Sequence, residues 1–308
     1  VKTRLALADT RTPVAHRDHL NKTVSFLSFV LNYIVTHDLM NRRWNLDSRR
    51  TDDERPLNAV MLIETRQSCA LTVASVLMAL HNLRTDDPGC RWRLHAFCSH
   101  QNFWHLRSYL GACLENPDAD LEISVLDELS IENQFEIDDY SALLKSSGFW
   151  SRLAHMDKCL LIQNDGMLVL PGIERLTLAY DYVAAPWLAG QTPLQEITNP
   201  ELVGNGGISV RKIRAMIDIC AESENGNLYE SVHELFINGA QPLPEDVFFS
   251  RGMYLLSHKY RLAPRDVAER FSSEEYISPV GCIAFHKPWP YNSLQDTENF
   301  FSTILPRS

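Results

Sequence analysis

The chain lacks a basic run. It carries 29 Lys and Arg against 39 Asp and Glu, a formal net charge of -10 and a pI near 5.6. The electrostatic footprint of a protein that tracks a phosphate backbone is missing, so no nucleic-acid partner is expected. It also lacks a C-x-x-C pair. The seven cysteines, Cys69, Cys90, Cys98, Cys113, Cys159, Cys220 and Cys282, are scattered and odd in number, which reads as reduced thiols and argues against structural zinc. No stretch reaches the roughly 18 apolar residues needed to cross a bilayer. Val24 to Val35 and Ser68 to Leu80 come nearest, and polar residues interrupt both. The sequence begins at Val1 rather than Met, so membrane association is expected only through a segment outside it, and the compartment stays open.

Several catalytic signatures are missing too. No G-x-G-x-x-G follows the first apolar run and no G-x-x-x-x-G-K-[ST] occurs, which counts against dinucleotide enzymes and P-loop NTPases. Without G-x-S-x-G or H-E-x-x-H, the usual marks of α/β-hydrolases and zincins are absent as well. There is no internal repeat.

What is present is an ordinary globular composition. The chain has 308 residues, 45% hydrophobic and 22% charged, enough for a large buried core. Residues 1–56 read as a helical extension and connector. Within Asp18 to Leu39, Val24, Leu27, Leu31, Ile34 and Val35 fall at helical spacing, and Phe26, Val30 and Tyr33 widen the stripe. Such a helix packs on something and could equally make a homo-oligomer contact. From residue 57 strands alternate with helices: Leu57 to Ile63, Trp92 to Cys98 and Leu121 to Leu126 as strands, with helical patterns over Ser68 to Leu83 and Trp104 to Leu114. That alternation predicts an α/β fold whose ligand site lies at the carboxyl ends of its strands, where Glu64, Arg66 and His100 fall.

Further on, Lys158 to Ile162 is an apolar strand delivering Gln163-Asn164-Asp165, with Gly166 next. A carboxylate exposed there suits a divalent cation on a diphosphate; capping of a turn is the alternative. Gly204-Asn205-Gly206-Gly207 is dense enough in glycine to bring backbone amides close to a sugar or phosphate, or to form a tight hairpin. Glu245-Asp246 can supply a general base, or they can be first-turn residues after Pro244 that complement a helix dipole. Trp187 could stack on a sugar face or pack in the core. His286-Lys287 could bind a diphosphate, with a structural histidine at a strand end as the alternative.

Together these segments resemble a family of candidate glycosyltransferases catalogued as a domain of unknown function and found in large DNA viruses, fungi and other organisms. The resemblance covers roughly Asn58 to Trp289. It rests on Glu64-Thr65-Arg66, Gln163-Asn164-Asp165, Asp181 to Trp187 (DYVAAPW), Gly204 to Arg211 (GNGGISVR), Glu245 to Phe249 (EDVFF) and His286 to Trp289 (HKPW). Ala184 stands where the family usually has Gly.

The resemblance implies a GT-A-like fold, a Rossmann-like mixed sheet flanked by helices over residues 57–308, with a nucleotide-binding half (57–165) and an acceptor-binding half (166–308). It implies a glycosyltransferase that moves a sugar from a nucleotide-sugar donor, UDP-sugar first, to a hydroxyl acceptor on a glycan, protein or small molecule. Metal assistance by Mn(II) or Mg(II) and an inverting course are part of that expectation. Asp165 and His286 are the expected metal ligands, although only one Asp stands where a full D-x-D would have two. Asp246, with Glu245 beside it, is expected at the catalytic position. Glu64, Arg66, Gln163, Asn164, Trp187, Asn205, Gly206, Gly207 and Lys287 are expected to bind donor or acceptor. A non-catalytic nucleotide-sugar or carbohydrate-binding protein on the same fold is the rival; a nucleotidyltransferase is weaker, because no Gly-rich basic loop follows the first strand.

Overall fold

A computed structural model of the chain describes residues 13–46, 55–66, 69–83, 91–126, 137–188, 199–226, 243–275 and 277–305. In chain order the elements are α1 (Pro13–Thr36), β1 (Leu57–Glu64), α2 (Ala70–Asn82), β2 (Arg91–Cys98), α3 (Phe103–Ala112), α4 (Pro117–Asp120), β3 (Leu121–Val125), α5 (Ile137–Leu144), α6 (Ser147–Ser151), β4 (Lys158–Ile162), β5 (Gly166–Leu168), α7 (Ile173–Ala179), β6 (Tyr182–Pro186), β7 (Val203–Lys212), α8 (Ile213–Glu224), α9 (Glu245–Leu255), α10 (Arg265–Phe271), β8 (Ser272–Ser273), β9 (Ala284–His286) and α11 (Leu294–Ile304).

Six strands form one mixed sheet in the order β3-β2-β1-β4-β7-β6, and β5, β9 and β8 form a second, smaller sheet. Strands β1 to β4 run parallel, while β7 is antiparallel to both β4 and β6. Both faces of the large sheet are covered, which is why its central strands read as continuous apolar runs. Alternate residues go to opposite cores. Val60, Leu62, Leu94, Leu160 and Ile162 join the core that includes residues of α1, α2, α11 and the small sheet. Ala59, Met61, Phe97, Cys159 and Leu161 join the core on the other face, with residues of α6, α8 and α9.

The helix expected as an extension is built into the first of these cores. Its inward face is only part of the stripe expected from sequence. Phe26, Phe29, Val30, Tyr33 and Ile34 are buried, whereas Val24, Leu27, Leu31 and Val35 are 53%, 43%, 62% and 68% exposed. Ring bulk decides the phase: Phe26 stacks on Trp289 and Phe29 on Phe301, with centroids 3.9 and 4.5 Å apart. No described helix is long and apolar enough to cross a membrane. Six cysteines are free and buried; Cys90 lies outside the described residues.

Candidate active site

The strand order reverses between β1 and β4. The two strands are parallel neighbours, yet β1 connects first to β2 and β3 on its other side, so their carboxyl ends flank a crevice of the kind where open α/β sheets bind ligands. Glu64 closes β1 at that edge, and Gln163, Asn164 and Asp165 follow β4.

Glu64 is buried and fully occupied. Its oxygens accept from Arg66 Nε and Nη2, both at 2.8 Å, from the Arg66 backbone amide and from Thr72 Oγ1. Burial works against the guanidinium charge, but Glu64 and then Asp165 hold the Arg66 pKa above its ordinary value. Arg66 therefore lies within electrostatic reach of Asp165, with Glu64 as its holder. Asn102, just before α3, fixes the same corner by donating to the carbonyls of Glu64 and Arg66.

Asp165 is the centre of the site. Its Oδ1 is 3.0 Å from His286 Nε2, and its Oδ2 is 3.7 Å from Lys287 Nζ. Three strands of the small sheet deliver this group. Gly166 pairs with His286 across β5 and β9, so Asp165 flanks the histidine. Ser273 pairs with Phe285 across β8 and β9, so the next residue of each strand, Glu274 and His286, come side by side. Glu274 Oε1 lies 2.8 Å from His286 Nδ1. Burial opposes a charge on His286, but the carboxylates of Glu274 and Asp165 outweigh it and lift its pKa to about 10. Burial likewise opposes the charge on Asp165, yet His286 and Lys287 hold it well below the usual carboxylate range. Lys287 has a φ of 45°, a left-handed conformation unusual for a residue with a side chain.

The glycine cluster is neither a loop nor a hairpin tip. Gly204 to Gly207 lie inside β7, where the pairing with β6 shifts register between Ala184 and Pro186. The glycines answer to protein neighbours: a Cβ on Gly207 would fall 1.9 Å from His286 Nδ1, and one on Gly206 2.6 Å from Glu245 Oε1. Gly204 has a φ of 138° and sits against Ser250 and Trp187. Asn205 is buried on the same strand.

Glu245 and Asp246 open α9 immediately after Pro244, in the first turn. Their environments differ sharply. Glu245 is buried and takes both guanidinium ends of Arg211, at 2.7 and 3.2 Å. Asp246 is partly exposed, and one of its oxygens accepts from the Val247 amide. Loss of hydration on burial comes first, and with the charges of Glu245 and Glu274 it pushes the pKa up to about 7. Trp187 is buried against Leu202 and Val247, so the structure places it in a packing role rather than on an open sugar face. Gln163 and Asn164 are partly exposed; the backbone of Gln163 donates to Gly207 O, and Asn164 O accepts from Ser75 Oγ.

Two residues of this neighbourhood carry no sequence signal. Glu274 follows two serines in no recognisable motif. Tyr291 is raised to about 12, by burial first and then by the charges of Glu274, Glu275, Asp246 and Asp165, which therefore lie within its electrostatic reach. Grooves of about 980 and 740 Å³ lie along α11 and contain none of these residues, so volume and chemistry point to different places. Converging charged groups at a topological switch point are the stronger indicator.

Among the described residues, no three His, Cys, Asp or Glu side chains converge to hold a metal ion. Two can share one. Asp165 Oδ1 and His286 Nε2 form a hydrogen-bonded ion pair at 3.0 Å, and carboxylate oxygen with imidazole nitrogen is a donor pair that a divalent transition metal accepts.

An α/β fold with a charged crevice at its switch point is what sheet and site define together. The chain belongs to the family described as protein of unknown function DUF5672, whose profile matches residues 121–288, more than half of its length. Glu64 and Arg66 lie outside the matched residues. No curated protein matches the chain. Among solved structures it is similar to apo mouse xyloside xylosyltransferase 1, at 10% identity and a TM-score of 0.47 over 75% of this chain and 97% of that one. It is also similar to the mannosyltransferase Ktr4p from S. cerevisiae, at 7% identity and a TM-score of 0.45 over 76% of each chain.

Proposed function

We propose that the chain is a nucleotide-sugar-dependent glycosyltransferase that moves a sugar from a UDP-sugar to a hydroxyl acceptor with inversion. The observation that carries this reading is the meeting of Asp165 and His286, 3.0 Å apart, beside the switch-point crevice, with Asp246 in the same electrostatic neighbourhood. Asp165 and His286 would hold a divalent cation, Mn(II) or Mg(II), which neutralises the leaving diphosphate when bound. Imidazole with carboxylate suits Mn(II). Arg66 and Lys287 add positive charge on the same side. Asp246, poised near 7, takes the proton of the acceptor hydroxyl as its oxygen bonds to the anomeric carbon and the bond to the diphosphate breaks. Glu245 is held by Arg211 and orients the first turn of α9 rather than acting as the base.

Thermal-shift titration of UDP-sugars with and without Mn(II) tests donor and metal together, because a ligand selective for the folded state raises Tm by mass action. Asp246→Asn then separates enzyme from binder. Transfer should fall by roughly 10²- to 10⁴-fold with donor affinity kept. A chain that binds the donor equally well in both forms and transfers in neither is the binding protein instead. That alternative draws on the single aspartate of Gln163-Asn164-Asp165.

A further inference from the structure

We infer that Glu274 is the positioning residue of His286: its carboxylate engages the ring through Nδ1, so that Nε2 is presented to Asp165 and to the cation proposed there. The inference rests on that metal reading for its consequence but not for its geometry. His286 is confined on three sides. Glu274 Oε1 stands 2.8 Å from Nδ1, Asp165 Oδ1 stands 3.0 Å from Nε2, and Gly207 lies so close that a Cβ there would overlap the ring. Neither Glu274 nor His286 has more than 8% of its side chain exposed.

The backbone explains why this carboxylate is where it is. Glu274 is the residue after β8 and His286 the last residue of β9, one step past the Ser273 to Phe285 register of parallel strands, so the two side chains are neighbours by construction. Glu274 is no ligand itself, because the imidazole stands between it and Asp165. An imidazole that ligates through one nitrogen is commonly oriented by a carboxylate on the other, which sets the tautomer. That contact is an ion pair. The Nδ1 to Oε1 approach is off the line of a hydrogen bond, and Glu274 Oε2 is buried with no hydrogen-bond partner among the described residues.

The test uses Glu274→Met, which removes the acceptor at similar length, and Glu274→Gln, which keeps one. Side-chain ¹⁵N spectra of His286 in the metal-free protein report the protonation and hydrogen bonding of each ring nitrogen, and Mn(II) titration followed by EPR, with and without UDP, reports affinity. The expected result is a changed His286 nitrogen signature in Glu274→Met, with Mn(II) affinity about ten- to a hundredfold weaker and partial recovery in Glu274→Gln. Wild-type spectra and affinity in Glu274→Met would overturn the inference. If the wild-type chain binds no Mn(II), the metal reading fails, yet the ¹⁵N spectra still decide whether Glu274 sets the ring. Should Glu274→Met not fold, Glu274→Asp, with its carboxylate one carbon short, gives the same two readouts.

Discussion

Two charge clusters flank the glycine pair of β7, and they are built differently. On the Gly206 side, Arg211 is sealed from solvent; its guanidinium reaches Glu245, Ser209 and the Gly206 carbonyl, so both charges are satisfied. On the Gly207 side, Asp165 and Lys287 remain 19% and 41% exposed, and a buried oxygen of Glu274 has no hydrogen-bond partner among the described residues. A closed, fully bonded pair keeps β7 and α9 together, whereas an open cluster with unspent hydrogen-bonding capacity is what a ligand completes. Charge alone does not mark an active site; unsatisfied, accessible charge does.

The largest expected effect comes from breaking the sealed cluster. Arg211→Met strands the Glu245 carboxylate and should cost about 3–5 kcal/mol, read as a lower denaturation midpoint at constant slope. Adding Glu245→Met should recover much of it. If the single substitution costs less than about 1 kcal/mol, the contrast between the clusters collapses. Next in size is Gly207→Ala, whose Cβ would fall 1.9 Å from His286 Nδ1. Overpacking should cost about 1–3 kcal/mol, and moving the ring should weaken Mn(II) binding as well; a lower Tm with Mn(II) affinity intact would show that the ring is not displaced.

The open cluster also has a pH signature. His286 titrates near 10 instead of its ordinary 6.5, so its contribution to stability is fully present below pH 6.5 and is lost as pH rises through 10. Asp165 is held low, so its share is present above the ordinary carboxylate range and is lost in acid. The decline in Tm between pH 6.5 and 10 should therefore be shallower in His286→Gln than in the wild type; parallel curves would remove the imidazolium from the account. The smallest stability effect is expected from Lys287→Met. Its ammonium is half-exposed and 3.7 Å from Asp165, worth at most about 1 kcal/mol. Calorimetry should nevertheless show weaker UDP binding, and unchanged affinity would limit Lys287 to the surface.

Much of this was legible from patterning. The run from Leu57 to Glu64 declares a strand buried on both faces, and Gln163-Asn164-Asp165 after Lys158 to Ile162 declares a strand end with a carboxylate. Apolar runs of that length followed by polar turns have few other readings. The phase of α1 was not legible, because apolar residues occupy both its flanks and only the aromatic partners Trp289 and Phe301 choose between them. Nor was Glu274, whose relevance comes from lying beside His286 in a register set between strands. Glycine density at Gly204 to Gly207 read as a backbone approach to a sugar or phosphate or as a tight hairpin, yet the residues form a strand whose missing side chains make room for the His286 ring and the Glu245 carboxylate.

By itself the sequence determined the alternation of strands and helices, the strand ends where chemistry could sit, and the motifs of the resemblance, of which the family profile takes in those within residues 121–288. Those are local properties, written in the spacing of apolar residues and in short patterns. Tertiary structure alone decided that Asp165 meets His286, that Glu245 is shut against Arg211 while Asp246 stays partly exposed, and that Trp187 is buried. Each depends on residues dozens of positions apart brought together by sheet register and core packing, and single-chain periodicity carries no record of either.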